Sequence, residues 1–350
     1  MPDWSARVPD LRSLTLRRRV RVELLAGLQW ILDRRSPTVR AVYARLPAAW
    51  SRRLRGAGAP VHMPGPRAAH VPLDADPDAL ARTLAHDTPK PSADRAATIL
   101  ILTFGELAHT RLCLASIRAF TDPGTYDVVV SDHGSTDGTV DYLRSLAASW
   151  PALRVVERDH NPGFAAGVNA CLRETRGDVV VLLNNDTVVT PGWLPGLLGH
   201  LGTRADVGLV GPVTNDSGDR ATIAVAYDSL GSLVELAARR RRDHAASARP
   251  VGKLSLFCAA LPRSALEELG GLDERYGLGM FEDDDLCQAL RARGRTVLLA
   301  EDVFVHHAAG ASFRRLSARA YVGWFEVNRT RFERKWAVTW RPVVTPDVAR

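Results

Sequence analysis

Three stretches of this 350-residue chain carry side chains able to do chemistry. In Val179–Val189, VVVLLNNDTVV, an apolar and mostly β-branched run stops at Asn184, Asn185 and Asp186. Such a run reads as a strand buried on both faces. Polar residues at its carboxyl end fall where open α/β sheets bind ligands. Asp186 offers a hard oxygen of the kind that holds Mg²⁺ or Mn²⁺ against a diphosphate. The same residues are also ordinary turn formers. The second stretch, Phe281-Glu-Asp-Asp-Asp-Leu-Cys-Gln288, sets four acids side by side at a helix start. Their repulsion raises carboxyl pKa values and the helix N-terminus opposes it. An acid-rich first turn is the plainer reading. The third, Asp132-His-Gly-Ser-Thr-Asp-Gly-Thr139, has Ser135, Thr136 and Gly138 suited to a turn and a helix cap.

The elements that must position these residues alternate. Thr98–Thr103, Tyr126–Ser131, Leu153–Glu157, Val207–Val213, Thr296–Leu299 and Val303–Val305 read as strands, and Leu254–Leu261 as apolar and extended. Leu112–Phe120, Val140–Ala148 and Gly163–Glu174 read as helices between them. Leu233–Arg242 follows as a helix, with Ser232 and Glu235 spaced as a capping box. Ala265–Leu269 closes at Gly270-Gly271, Asp283–Arg293 at Gly294, and Ala318–Trp336 presents Trp324, Phe325, Phe332 and Trp336 as a packing stripe. Repeated β–α–β order predicts an α/β fold whose parallel sheet is covered by helices on both faces.

Charge is unevenly spread. The chain has 46 basic and 39 acidic residues, net +7, but residues 1–60 hold 13 Arg against 4 Asp/Glu, 13 − 4 = +9. A basic extension on a nearly neutral body follows. Residues 12–55 look helical, with apolar residues recurring between Arg17, Arg18, Arg19 and Arg21. They read either as a cap with solvated arginines or as a basic amphipathic helix on an anionic membrane surface. No nucleic-acid-binding motif accompanies the charge, so nucleic acid is not an expected partner. Residues 56–95, rich in Pro, Gly, Ala and Asp, read as a linker. Cys113, Cys171, Cys258 and Cys287 lie in apolar segments without CxxC pairing, as reduced core residues of a cytosolic protein would. No run approaches a membrane span and no signal peptide is expected. A GxGxxG fingerprint is absent, which argues against a dinucleotide-binding Rossmann enzyme.

From about Ala96 to Trp336 the order of these motifs resembles the inverting, nucleotide-sugar-dependent glycosyltransferases of family 2, which have the GT-A fold. Ile101-Leu102-Thr103-Phe104 resembles the family's strand into the nucleotide pocket, with Leu102 where the family has Pro and Gly105 where it has Asn. Asp132–Thr139 matches the family's pattern except at His133, and Asn161-Pro-Gly-Phe-Ala-Ala-Gly-Val-Asn169 resembles its loop and helix start. Asn184-Asn185-Asp186 takes the place of Asp-x-Asp, a variant common in the bacterial rhamnosyl- and galactofuranosyltransferase-like members. The resemblance implies Asp283 as the general base. It implies Thr103, Phe104, Asp132, Ser135, Gly163, Phe164, Asn169, Asn184, Asn185, Asp186 and Glu282 as nucleotide-sugar contacts. Asp186 and His307 would hold a divalent cation, Mg²⁺ or Mn²⁺, with His306 as the alternative and Ser312 at the family's spacing from His307. Asp132 accepting from N3–H of uracil or thymine would favour UDP- or dTDP-sugar donors over GDP-sugars. The acceptor would be a hydroxyl of a glycan, a lipid-linked sugar or a small molecule, its side of the site shaped by residues 211–260, with the Asn215-Asp216-Ser217 loop, and by the C-terminal helix. The implied organisation is a basic extension over 1–60, a linker over 61–95, a catalytic domain over 96–312 divided at 215, and a helical segment over 313–350. The implied location is cytoplasmic, at the inner face of the plasma membrane if residues 12–55 contact lipid. A non-catalytic nucleotide-sugar-binding partner of an envelope glycan assembly complex is the alternative.

Overall fold

β1 (Ala97–Thr103, ATILILT) is buried almost throughout, and the reason lies in its neighbours. It pairs in parallel with β2 (Tyr126–Asp132) on one side and β4 (Val179–Asn184) on the other, and β2 pairs in parallel with β3 (Leu153–Glu157). A strand with partners on both edges and helices on both faces has no side for a polar residue until it ends. The computed structural model describes residues 9–33, 69–79, 97–175, 177–309 and 317–342. All of the 34–55 part of the expected basic helix, most of the 56–95 linker, and Ser312 lie outside them.

The main sheet has eight strands in the order β3-β2-β1-β4-β8-β6-β9-β7. β6 is Val207–Val213, β7 Ala248–Pro250, β8 Cys258–Pro262 and β9 Thr296–Phe304. β8 runs antiparallel between β4 and β6, while β6 and β9 are parallel and β7 closes the edge antiparallel to β9. The fold is therefore mixed α/β, parallel in its first half. Alternate residues of the strands feed two cores. Leu100, Val129, Val180 and Leu182 point to one, with α4 (Phe164–Glu174), α6 (Leu230–Asp243), α7 (Arg263–Leu269) and α8 (Glu282–Ala292). Ile99, Ile101, Val128, Val130, Val181 and Leu183 point to the other, with α2 (Leu107–Phe120) and α5 (Trp193–Leu201), and Leu143 of α3 (Thr139–Ala147).

Several local expectations change. Val179–Val189 is not one strand: β4 ends at Asn184, a turn takes Asn185 and Asp186, and β5 (Thr187–Val188) pairs with β10 (His306–His307) in a separate two-stranded sheet. Thr296–Leu299 and Val303–Val305 belong largely to one strand, β9. The capping box of α6 is Ser229 with Ser232, so Ser232 is the third helical residue and not the cap. Strand pairing in 254–261 begins only at Cys258. The four cysteines are buried and free.

α1 (Leu16–Asp33) and α9 (Ala318–Trp336) belong to a compact unit distinct from the one that holds the sheet. Within it Leu14 and Val22 pack with Val322 and Val327. Arg18 pairs with Glu333, and Arg21 lies 3.2 Å from the buried carboxylate of Glu326. No helix among the described residues is long and apolar enough to cross a membrane.

Candidate active site

The carboxyl ends of β1, β2 and β4 lie side by side, because Thr103 is in register with Asp132 and Leu102 with Asn184. The result is a polar ledge where the apolar strands stop. Asp132 is buried and its carboxylate is saturated within the chain. Oδ1 accepts from the amides of Gly134 (3.0 Å) and Ser135 (2.9 Å), and Oδ2 from the hydroxyls of Thr103 (2.9 Å) and Ser135. The Ser135 hydroxyl in turn accepts from Gly105 N at 2.6 Å. The sequence resemblance therefore falls on a tightly wired turn. His133, which departs from the family pattern, is buried beside it with Nε2 3.1 Å from the Ser131 hydroxyl. Burial, only partly offset by Asp132, lowers its pKa to about 4, so the ring is neutral. Gly167 makes room for that ring: a Cβ there would stand 2.4 Å from His133 Cε1.

Phe104 is partly exposed at the end of β1. Gly163 caps α4 with φ +100°, and a Cβ on it would lie 2.0 Å from the Gly277 carbonyl oxygen. The 161–163 loop is thus pressed backbone to backbone against the 277–281 segment that leads into α8, and Phe164, the first helical residue, packs against the core. Asn169 is placed differently from the other amides. Its Nδ2 donates to Leu272 O and Glu274 Oε1, and its Oδ1 accepts from Leu272 N, so it splints the 272–274 turn. Asn185 likewise turns inward, donating to Thr110 Oγ1 at 3.0 Å.

Asp186 and His307 meet where β5 pairs with β10. Asp186 Oδ1 lies 3.3 Å from His307 Nε2, and Asn184 Nδ2 lies 3.5 Å from the same nitrogen. Burial pushes the Asp186 carboxyl up, but His307 overcomes this and holds it below the usual range. Burial pushes the His307 imidazole down, but Asp186 overcomes this and the net direction is up. Supports fix the ring. Its Nδ1 is 2.7 Å from the Asp216 carbonyl, which can only accept, so Nδ1 carries the proton and Nε2 faces Asp186. Asn215 brackets the His307 backbone, donating to its carbonyl and accepting from its N–H, and Phe257 stacks on the ring at 4.8 Å. The 215–217 loop, expected on the acceptor side, thus serves His307. His306 points elsewhere: its Nδ1 is 2.6 Å from the Tyr227 hydroxyl, and burial lowers its pKa to about 3.

A hard carboxylate and an imidazole with its second nitrogen tethered fit a divalent cation. No group of three or more His, Cys, Asp or Glu side chains suited to a metal occurs among the described residues. The remaining coordination positions would fall to diphosphate oxygens and water.

The four acids of α8 are not equivalent. Asp285 is buried and accepts from the Tyr276 hydroxyl at 3.1 Å. Lys253 Nζ reaches Asp284 Oδ2 at 2.5 Å and Asp283 Oδ2 at 3.2 Å. Burial would lower the Lys253 pKa, but Asp283 and Asp284 carry it well above the usual range, so it is charged. Asp283 Oδ1 accepts from Asp284 N, and Glu282 Oε2 is buried without a hydrogen-bond partner. Burial first and Asp283 second raise the Glu282 carboxyl to about 8, leaving it protonated at neutral pH. Lys253 was not singled out from sequence, although it is one of three lysines among 46 basic residues. The segment it begins ties the acids to Asp186 and His307. Ser255 N donates to the buried Asp219, and Phe257 both stacks on His307 and accepts from Asn184 N.

Residues 98–270 match the model of the glycosyl transferase family 2. That segment holds Asp132 and Asn184–Asp186 and ends before Asp283 and His307. Among curated relatives, the chain is 28% identical over 244 residues to the N-acetylglucosaminyl-diphospho-decaprenol L-rhamnosyltransferase of Mycobacterium tuberculosis, covering 62% of this chain and 77% of that one. It is 27% identical over 138 residues to the glycosyltransferase AglE of Haloferax volcanii, covering 39% and 45%. Among solved structures, GalNAc-T7 with UDP, GalNAc and Mn²⁺ superposes with a TM-score of 0.51 at 14% identity, covering 62% of this chain and 44% of that one, a likeness of fold alone. The mixed sheet, the motif-bearing strand ends and these relatives together show that the chain carries a glycosyltransferase domain of family 2 over residues 98–270, with the GT-A fold.

Proposed function

We propose that the protein is an inverting transferase that moves a sugar from a UDP- or dTDP-sugar to a hydroxyl of a lipid-linked glycan. The observation that carries this reading is the division of labour among the α8 acids. Asp285 is committed to Tyr276 and Asp284 to Lys253, whereas Asp283 keeps the longer contact. In the proposed reaction Asp283 takes the acceptor hydroxyl proton as the new bond to C1 forms and the bond from C1 to the diphosphate oxygen breaks on the opposite face. Lys253 steadies the ionised pair, and neutral Glu282 can donate to a sugar hydroxyl. A divalent cation between Asp186 and His307 would supply positive charge to the leaving diphosphate. The ledge of Thr103, Asp132 and Ser135 would receive the base, the ligand taking over a hydroxyl's place on Asp132, and the α4 N-terminus with Gly163 and Phe164 would favour phosphate. The lipid-linked acceptor is suggested by the mycobacterial relative, whose own name specifies one. An acceptor of that kind would place the work at a membrane surface.

Calorimetric titration of UDP-, dTDP- and GDP-sugars with and without Mn²⁺, on the wild type and on Asp283→Ala, tests the proposal. Metal-dependent binding of a UDP- or dTDP-sugar, retained in the variant while transfer falls about 10²–10⁴-fold, is expected. Unchanged transfer in Asp283→Ala removes the base assignment, and binding of GDP-sugars alone removes the role of Asp132.

A further inference from the structure

The outer side of α1 is built the wrong way round for a solvated helix. Leu16, Val20 and Leu24, spaced i, i+4, i+8, are 76%, 51% and 69% exposed. Two of the helix's arginines turn inward instead, Arg18 to Glu333 and Arg21 to Glu326 on α9. A helix that already buries Val22 and Ala26 on its packed side and still presents three aliphatic side chains on its open side has a second apolar environment to meet. The flanks of the open stripe are basic. Arg12, Arg17 and Arg19 are exposed, with Arg19 folded back onto the carbonyls of Leu14 and Arg12. Glu23, the acid on this face between residues 16 and 26, is neutralised by Arg319 at 2.9 Å.

We propose that α1 docks the protein on an anionic lipid surface, with Leu16, Val20 and Leu24 inserted among the acyl chains and Arg12, Arg17 and Arg19 at headgroup level. Charge complementarity selects this occupant. Arginines beside a narrow aliphatic stripe match negatively charged headgroups over an apolar layer. A stable protein contact needs about 800 Å² from each partner, which three aliphatic side chains do not supply on their own. The docking face is formed within the unit of α1 and α9 and needs neither donor nor acceptor, so it stands or falls separately from the sugar-transfer reading.

The test is co-sedimentation of the full chain with vesicles of phosphatidylcholine, alone or with about a third phosphatidylglycerol. The wild type is expected to bind the anionic vesicles, more weakly as salt rises, and to leave the neutral ones in solution. The combined Leu16→Ser, Val20→Ser and Leu24→Ser variant is expected to bind more than about tenfold more weakly. Arg12→Gln with Arg17→Gln, which leaves the apolar stripe intact, should weaken binding about thirtyfold, roughly fivefold per arginine. Thermal unfolding of each variant checks the fold, and the arginine pair gives the reading if the serine variant does not fold. No binding of the wild type to anionic vesicles, or equal binding by all three proteins, overturns the proposal. So does a wild-type oligomer that the serine substitutions dissociate while vesicle binding is unchanged, which would make the stripe a protein contact.

Discussion

Replacing His133 by asparagine isolates one proton-linked contribution to stability. The ring is buried against Leu102 and Gly167, with burial lowering its pKa from 6.5 to about 4. Above pH 6.5 the ring is neutral in both folded and unfolded chains and costs nothing. As pH falls from 6.5 to 4 the unfolded chain takes up a proton that the folded chain refuses, so stability is lost across that window and levels off below it. The fall from 6.5 to about 4 corresponds to about 3.5 kcal/mol at about 1.4 kcal/mol per pH unit. Asparagine has no such proton. It does leave space beside Leu102 and Gly167, a cost of about 1–3 kcal/mol that does not vary with pH. The wild type is therefore expected to be the more stable protein at pH 7.5 and to lose that lead on approach to pH 4.5. Urea unfolding of both proteins at half-unit intervals between these values measures the difference, in which other titrating groups cancel. A difference that stays constant across the window would mean that His133 protonates in place, and that the Asp132 turn opens more readily than its hydrogen bonds imply.

Three further outcomes follow from the site. Gly163→Ala puts a Cβ 2.0 Å from the Gly277 oxygen at φ +100°. It should lower stability by about 2 kcal/mol or more and weaken nucleotide binding, whereas an unchanged unfolding midpoint would rule out the close approach. Asn215→Ala leaves Asp186 and His307 in place but removes the bracket on the His307 backbone, so Mn²⁺ affinity measured with the donor nucleotide present should fall about 10–100-fold. Lys253→Met, which removes the cation shared by Asp283 and Asp284, should cost about 3 kcal/mol in urea unfolding at pH 7, and a neutral result would show that solvent already compensates the pair.

Strands were most legible where burial on both faces left an apolar run rich in β-branched residues, as in β1 and β4. α5 was not legible, because Trp193–Leu201 contains Pro195, Gly196 and Gly199 and so lacks a helix's usual composition. Packing explains one of them: a Cβ at Gly196 would stand 2.6 Å from Val303 Cγ2, so the helix lies close on β9 only with glycine there. In the site, residues at strand ends could be found because a polar group after an apolar run is visible in one dimension. Their supports could not. Asn215, Asp216, Phe257 and Lys253 reach His307 and Asp283 through space, from segments without periodicity. Sequence also cannot distinguish an amide aimed at a ligand from one spent on the chain, and Asn169, tied to Leu272 and Glu274, is such an amide.

The pairing of β5 with β10 sets the order in which this enzyme can come into being. Thr187 meets His307 across 307 − 187 = 120 positions, whereas Thr103 meets Asp132 across 132 − 103 = 29. Closing the longer loop costs more entropy and waits for more of the chain to leave the ribosome. The ledge of Thr103 and Asp132 can therefore take shape on a nascent chain that still lacks the His307 imidazole. Asp186 gains its partner only after β8, α8 and β9 have emerged. The Asp186–His307 contact is the last part of the candidate site to exist, and a chain interrupted before His307 would carry the Thr103–Asp132 ledge without it.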